Sequence, residues 1–187
     1  MDWREKLHMM TRMEDEDESR QWHAVYVLSG NEEPVREKIE YALGGYGVRA
    51  VVPKRRIMER KEGKWHERIR TLFPGYILLQ GKIDVPEYYI LKTVPGLVRI
   101  LRDDCQLYRI YPEEIEIISR LMCNGDIIGT SVAFREGDKV IITDGPLLNM
   151  EGLITSVDPR KGRARVKLSF LGDVRTVDLS ITFIESA

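Results

Sequence analysis

Residues 134–158, FREGDKVIITDGPLLNMEGLITSVD, set two short apolar runs on either side of a tight turn. Lys139 to Thr143 is the first run and Leu153 to Val157 the second. Between them Asp144, Gly145 and Pro146 are the residue types that punctuate strands. The pattern continues downstream, where Ala164 to Leu168 and Val174 to Leu179 are separated by turns at Asp158 to Gly162 and Leu171 to Asp173. Four or five short strands in about fifty residues is what a small closed barrel requires. Val140, Ile141, Ile142, Thr143, Val157, Val166, Val174, Thr176 and Val177 are β-branched, so residues 134–187 are expected to remain β and not to convert to helix.

Upstream of the barrel, residues 124–133 carry Gly125, Gly129, Thr130 and Ser131 without a clear period and read as a linker of about ten residues. Before the linker the order is mixed. Trp22 to Leu28 reads as a strand. A helix follows in which Asn31 can cap, Glu32 and Glu33 suit the positive end of the helix dipole, and Val35, Ile39 and Leu43 repeat on one face. Val48 to Pro53 is a second strand, and Lys54 to Thr71 a charged arm folding back through Glu62, Gly63 and Lys64. Phe73 to Gln80 is a third strand, Asp84 to Val94 a short helix, and Leu97 to Leu101 another strand. A last helix starts at Pro112 and puts Ile115, Ile118 and Met122 on one face. Residues 22–123 therefore form one domain in this reading, while 1–21, with its acidic run from Glu14 to Glu18, reads as a mobile tail. Trp3, Leu7 and Met10 within that tail fall at the spacing of a transient helical turn.

Composition narrows the function. The chain has 187 residues with 29 Lys plus Arg against 30 Asp plus Glu, so any contact with nucleic acid must come from local clusters. Two such clusters exist. Arg49 to Arg70 holds nine basic residues against three acidic ones, a local balance of +6. Within it Lys54, Arg55, Arg56, Arg68 and Arg70 are candidates for contact with DNA phosphates, the alternative being a solvated hairpin. Arg160, Lys161, Arg163, Arg165, Lys167 and Arg175 oppose only Asp173 over 160–175, a balance of +5. Alternation puts Arg163, Arg165 and Lys167 on one side of a strand and Ala164, Val166 and Leu168 on the other, a basic face suited to structured RNA. The bland reading is a charged face that serves solubility.

Cys105 and Cys123 have no companions at metal-ligand spacing, so neither a zinc site nor a disulfide scaffold is expected. No apolar run approaches the roughly 20 residues that span a bilayer, which predicts a cytoplasmic protein without membrane contact. The histidines His8, His23 and His66 are scattered, and no phosphate-cradling glycine loop opens a helix. No catalysis and no cofactor are expected.

Four stretches together resemble the NusG family of transcription factors: WHAVYVLSG at 22–30, LFPGYILLQ at 72–80, VPGLVRIL at 94–101, and the 134–158 segment, which is similar to a KOW motif. They stand in the family's order, and the resemblance runs from about Trp22 to Ile184. It implies an α+β fold: an NGN-type antiparallel sheet with flanking helices, followed by a small five-stranded, SH3-like KOW β-barrel. It also explains Asp138 and Asp144 as residues of the KOW turn rather than a paired-carboxylate site.

What the family resemblance implies for partners is docking onto the coiled-coil clamp helices of the largest subunit of bacterial RNA polymerase. Trp22, Tyr26, Phe73 and Tyr76 match the positions that line the family's apolar docking pocket; plain core packing is the competing reading for each. Such a factor does no chemistry and suppresses pausing and termination by preferring the closed, elongating polymerase. The turn after Pro146 carries Leu147, Leu148 and Met150 where general members have aromatics that engage Rho or NusE, which puts those couplings in doubt. With its basic barrel the chain therefore resembles a specialised antiterminator of the LoaP type, recruited by an RNA hairpin and acting as a monomer. The RfaH type fits less well, because its polar His-Thr-Thr element would fall at Glu87, Tyr88 and Tyr89. Two alternatives stand beside this reading: a general elongation and pausing factor without RNA specificity, and a KOW-type ribosomal or other RNA-binding module.

Overall fold

The computed structural model describes residues 21–102, 107–123, 125–137 and 139–184. The acidic segment 1–20 with its Trp3, Leu7 and Met10 spacing, together with Cys105, Asn124 and Asp138, lies outside the described residues. The chain forms two compact units. The first comprises the described residues of Met1–Val52 and Pro74–Ile110, the second those of Pro53–Phe73 and Tyr111–Ala187.

The first unit is a four-stranded antiparallel sheet with two helices. Its strands are β1 (Trp22–Val27), β2 (Arg49–Val51), β5 (Tyr76–Gln80) and β6 (Leu97–Ile100), in the order β2-β5-β1-β6. Helix α1 (Glu32–Leu43) buries Val35, Ile39 and Leu43, the stripe expected from the i, i+4, i+8 repeat. They pack into one core with Val25 and Val27 of β1, Ile77 and Leu79 of β5, and Leu91 of α2 (Val85–Thr93). Fully burying an aliphatic side chain of this kind contributes about 1.5–3 kcal/mol.

Asn31 precedes α1, but its side chain makes no capping hydrogen bond. Glu32 instead ties down backbone outside the helix. Its carboxylate, 4 % exposed, accepts hydrogen bonds from the backbone N–H of Gly30 at 2.7 Å and of Gly75 at 2.7 Å. Asp84 behaves as a capping residue should, since it and Glu87 form a reciprocal capping box at the start of α2.

The second unit holds the charged arm, the last helix and the C-terminal strands. The arm is a hairpin of β3 (Lys54–Lys61) and β4 (Lys64–Thr71), turned by Glu62 and Gly63, both with positive φ. The stretch read as a linker contains β7 (Ile127–Ile128), which pairs in parallel with β3, and the opening of β8 (Ser131–Glu136). Ile128 is wholly buried, so an apolar side chain holds a segment whose small residues suggested freedom. The five-stranded sheet has the order β10-β11-β12-β8-β9, with β9 Lys139–Asp144, β10 Ile154–Asp158, β11 Arg163–Phe170 and β12 Asp173–Phe183. These residues match the short runs read from the sequence, to which β8 is added. Gly145 is obligatory at its turn: φ is +91° and a Cβ there would lie 2.7 Å from the backbone of Ser131.

Helix α3 (Pro112–Met122) buries Glu114, Ile118, Leu121 and Met122 and leaves Ile115 only half-buried. The buried face is therefore rotated from the expected one. Glu114 lies on this face, and both its oxygens face a turn of the barrel: Oε2 accepts from the N–H of Leu171 at 3.1 Å and Oε1 from that of Gly172 at 3.0 Å.

Candidate functional site

The four aromatics expected to dock a partner fall into different environments. Tyr26 and Tyr76, in the first unit, face each other across β1 and β5 with ring centroids 5.4 Å apart and planes at 70°. Both are half-buried, and Trp22 at the start of β1 is also half-buried. Gly75 makes this corner possible: it sits at φ +86°, and a Cβ would come within 2.7 Å of the Tyr26 ring. Phe73 belongs to the second unit and is only 2 % exposed. Its ring lies parallel to that of Phe170, 4.0 Å from it. In this conformation Phe73 presents no surface to an outside partner.

The basic residues of the β3–β4 hairpin are largely committed within the second unit. Arg55 donates to the carbonyl of Asp178, and its burial lowers the guanidinium pKa from the ordinary value. Arg70 forms a two-pronged pair with Glu59 at 2.9 and 2.7 Å, which holds the Glu59 carboxyl below its usual range. Arg56 pairs with Glu67 at 3.3 Å, Lys54 is half-buried, and Arg68 is exposed. Exposed pairs of this kind contribute only about 0–1 kcal/mol, so Arg56 and Arg70 can exchange a carboxylate for a phosphate.

On the barrel, β11 has the alternation expected of it. Ala164, Val166, Leu168 and Phe170 are buried, while Arg165, Lys167 and Ser169 are exposed. Arg163 is half-buried and donates to the carbonyl of Met58 at 2.9 Å. Asp178, opposite Arg165, lies 3.4 Å from Arg165 Nε and 3.7 Å from Arg163 Nη1. Arg160 and Lys161 occupy the exposed turn that leads into β11, where Lys161 Nζ lies 3.4 Å from Asp158. Arg175 is separated from this set. It pairs with Leu168, so it points to the apolar side, and its guanidinium lies 5.6 Å from the Phe170 ring.

After Pro146, Leu147 is wholly buried and Met150 7 % exposed, which leaves Leu148 as the outward residue of that turn. Leu147 N–H donates to Ser131 Oγ at 3.0 Å.

A family model described as "Transcription termination factor nusG" matches residues 20–119, and the KOW motif matches 136–168. The chain belongs to the NusG family. NusG-named relatives, the "Transcription termination/antitermination protein NusG" of Thermus thermophilus and of Escherichia coli K12, are 27 % and 25 % identical to it. These alignments cover 89 % and 90 % of this chain and 98 % and 97 % of the relatives. A solved structure titled "Domain interaction in Thermotoga maritima NusG" is similar in fold, with a TM-score of 0.54 at 24 % identity over 86 % of this chain and 93 % of that one. The fold class is that of the family, an α+β chain ending in a five-stranded KOW sheet. Among the described residues no helix is long and apolar enough to cross a membrane.

Two functional groups of this NusG-family chain escaped sequence reasoning. Phe170 reads as one more apolar strand residue, and Glu114 reads as an acid favoured by a helix dipole. Each acquires its role from a segment far along the chain, at Phe73 and at Leu171–Gly172. Period-2 and period-3.6 patterns carry no information at that range.

Proposed function

We propose that this NusG-family protein docks on bacterial RNA polymerase through the first unit and is recruited, as a processive antiterminator of the LoaP type, by a structured RNA bound on the outer face of β11. The observation that carries this reading is the exposure of Arg165 and Lys167 beside the basic turn of Arg160 and Lys161, over an apolar layer fully occupied by Ala164, Val166 and Leu168. A rigid strand then holds the cations in a row, as phosphate recognition requires. Arg163 and Arg175 serve the fold instead, the former through Met58 and the latter over Phe170.

Docking rests on the Tyr26–Tyr76 corner with Trp22, where half-exposed aromatics offer area at low entropic cost. Phe73, stacked on Phe170 and 2 % exposed, contributes no docking area. The test is titration of the full chain with an RNA hairpin and with an unstructured RNA of equal length at two salt concentrations. Preference for the hairpin, with a log–log salt slope of roughly −0.7 to −0.9 per phosphate contact, supports recruitment through RNA. Equal, feeble binding of both returns the protein to the general elongation and pausing class. Binding to core polymerase separates either from a ribosomal RNA-binding module.

A further inference from the structure

The first unit contains a cavity of about 480 Å³ that docking and RNA recruitment leave unused. It is within the range of roughly 300–1,000 Å³ typical of small-molecule sites. At its wall is His23, only 2 % exposed. The His23 Nδ1 lies 3.2 Å from the carbonyl of Tyr108, so Nδ1 carries the proton and donates it. Nε2 is then left as an acceptor, and it is buried without a hydrogen-bond partner. Burial, and next the nearby Arg109 charge, hold the imidazole pKa below its ordinary value, against the Tyr108 hydrogen bond that raises it; the ring stays neutral and the acceptor remains available at pH 7.

Around this acceptor the chain places cations and aromatic faces. Among the described residues, Lys82, Arg102 and Arg109 line the cavity together with Asp84, which lies 3.4 Å from Lys82 Nζ. Tyr88 and Tyr89 project from α2, their centroids 5.7 Å apart at 74°. Arg102 lies over the Tyr88 ring and donates to its hydroxyl at 3.2 Å. A ligand that satisfies all three features has a flat ring to lie on tyrosine, an N–H to give to His23, and a negative charge for the cations.

We propose that this cavity is a nucleotide-binding site, the base donating to His23 Nε2 and stacking on Tyr88 or Tyr89 while the phosphate meets Lys82, Arg102 and Arg109. The nucleotide is either free or an unpaired unit of a strand. The site lies wholly in the first unit, so its fate is independent of RNA binding on β11.

The test follows the His23 ring nitrogens of the full-length protein by NMR during addition of the four nucleoside monophosphates, the four nucleosides, inorganic phosphate and a short single-stranded oligonucleotide. A nucleoside monophosphate or the oligonucleotide is expected to shift the Nε2 signal and to bind more tightly than phosphate or nucleoside alone. Saturation by monophosphates identifies a free nucleotide as the ligand, and saturation by the oligonucleotide alone identifies a strand-borne one. The exposed-site variants Tyr89→Ala and Arg102→Ala are each expected to weaken binding about tenfold, as loss of a base-stacking or charged contact does. Their folds are checked by the unchanged amide spectrum of β1 and β5. An unmoved Nε2 signal, equal affinity for phosphate alone, or full affinity in both variants would overturn the assignment.

Discussion

Two aromatic pairs, with members Phe73 and Tyr76 only three residues apart in the chain, behave in opposite ways. Tyr26 and Tyr76 meet edge to face and stay half-buried, whereas Phe73 and Phe170 lie parallel and are at most 2 % exposed. The sequence FPGY contributes one member to each pair and a glycine at φ +86° between them. The chain turns at Pro74 and Gly75, and the boundary between the two compact units falls at Phe73 and Pro74. A tyrosine keeps its hydroxyl at the edge of a core, while a phenylalanine has no polar atom to lose by full burial. Chemically similar side chains in one motif thus divide into an anchor and an accessible contact.

The largest effect should come from the buried pair. Phe73→Ala is expected to destabilise the protein by about 3–5 kcal/mol, read from the denaturation midpoint, because it leaves a cavity facing Phe170. A loss below 1 kcal/mol would erase the contrast with the tyrosines. Glu114→Ala sharpens the same point, since it removes the carboxylate that holds the turn directly after Phe170. Leaving the Leu171 and Gly172 N–H groups unpaired should cost about 2–3 kcal/mol, with hydrogen exchange fastest at those two amides.

The tyrosines should respond in binding instead. Tyr26→Ala or Tyr76→Ala is expected to weaken polymerase affinity by about 2 kcal/mol, measured as a Kd with folding confirmed by circular dichroism. Unchanged affinity in both would remove the corner from the docking surface. Charge reversal of Arg165 and Lys167 to Glu lies on the exposed side of β11 and, with Asp178 opposite Arg165, should cost no more than about 1 kcal/mol of stability. The same double variant should abolish preference for hairpin RNA.

A small pH effect belongs to the first unit. His23 has a pKa in the folded chain below the ordinary 6.5, so the unfolded chain binds more protons as pH falls through 6.5. Its contribution is complete above that value and is lost as pH drops toward the folded pKa. Denaturation midpoints at pH 7.5 and 5.5 should fall further in the native chain than in His23→Gln; equal falls would place the titration elsewhere.

The elements themselves were legible. Val35, Ile39 and Leu43 announced α1, and alternation from Arg163 to Leu168 announced β11 with its basic side. Glu62–Gly63 and Asp144–Pro146 marked the reversals that β3–β4 and β9 require. The less legible parts all involve partners from remote segments. The segment 124–133 looked free because its glycines and hydroxyl residues have no period, yet Ile127 and Ile128 pair with Lys54 and Arg55. Asn31 looked like a cap because its side chain is suited to one, yet Glu32 reaches both Gly30 and Gly75.

By itself the sequence determined most of the helix and strand segments, where the chain turns, and which family motifs it carries, because side-chain periodicity and turn chemistry act over a few residues. Only the tertiary structure decided which cations remain available and which aromatics are covered. Arg55 meets a carbonyl 123 residues away, and His23 meets one 85 residues away. Burial and hydrogen bonding are set by what arrives from such distances, and they determine whether a charged or aromatic side chain holds the fold or faces a partner.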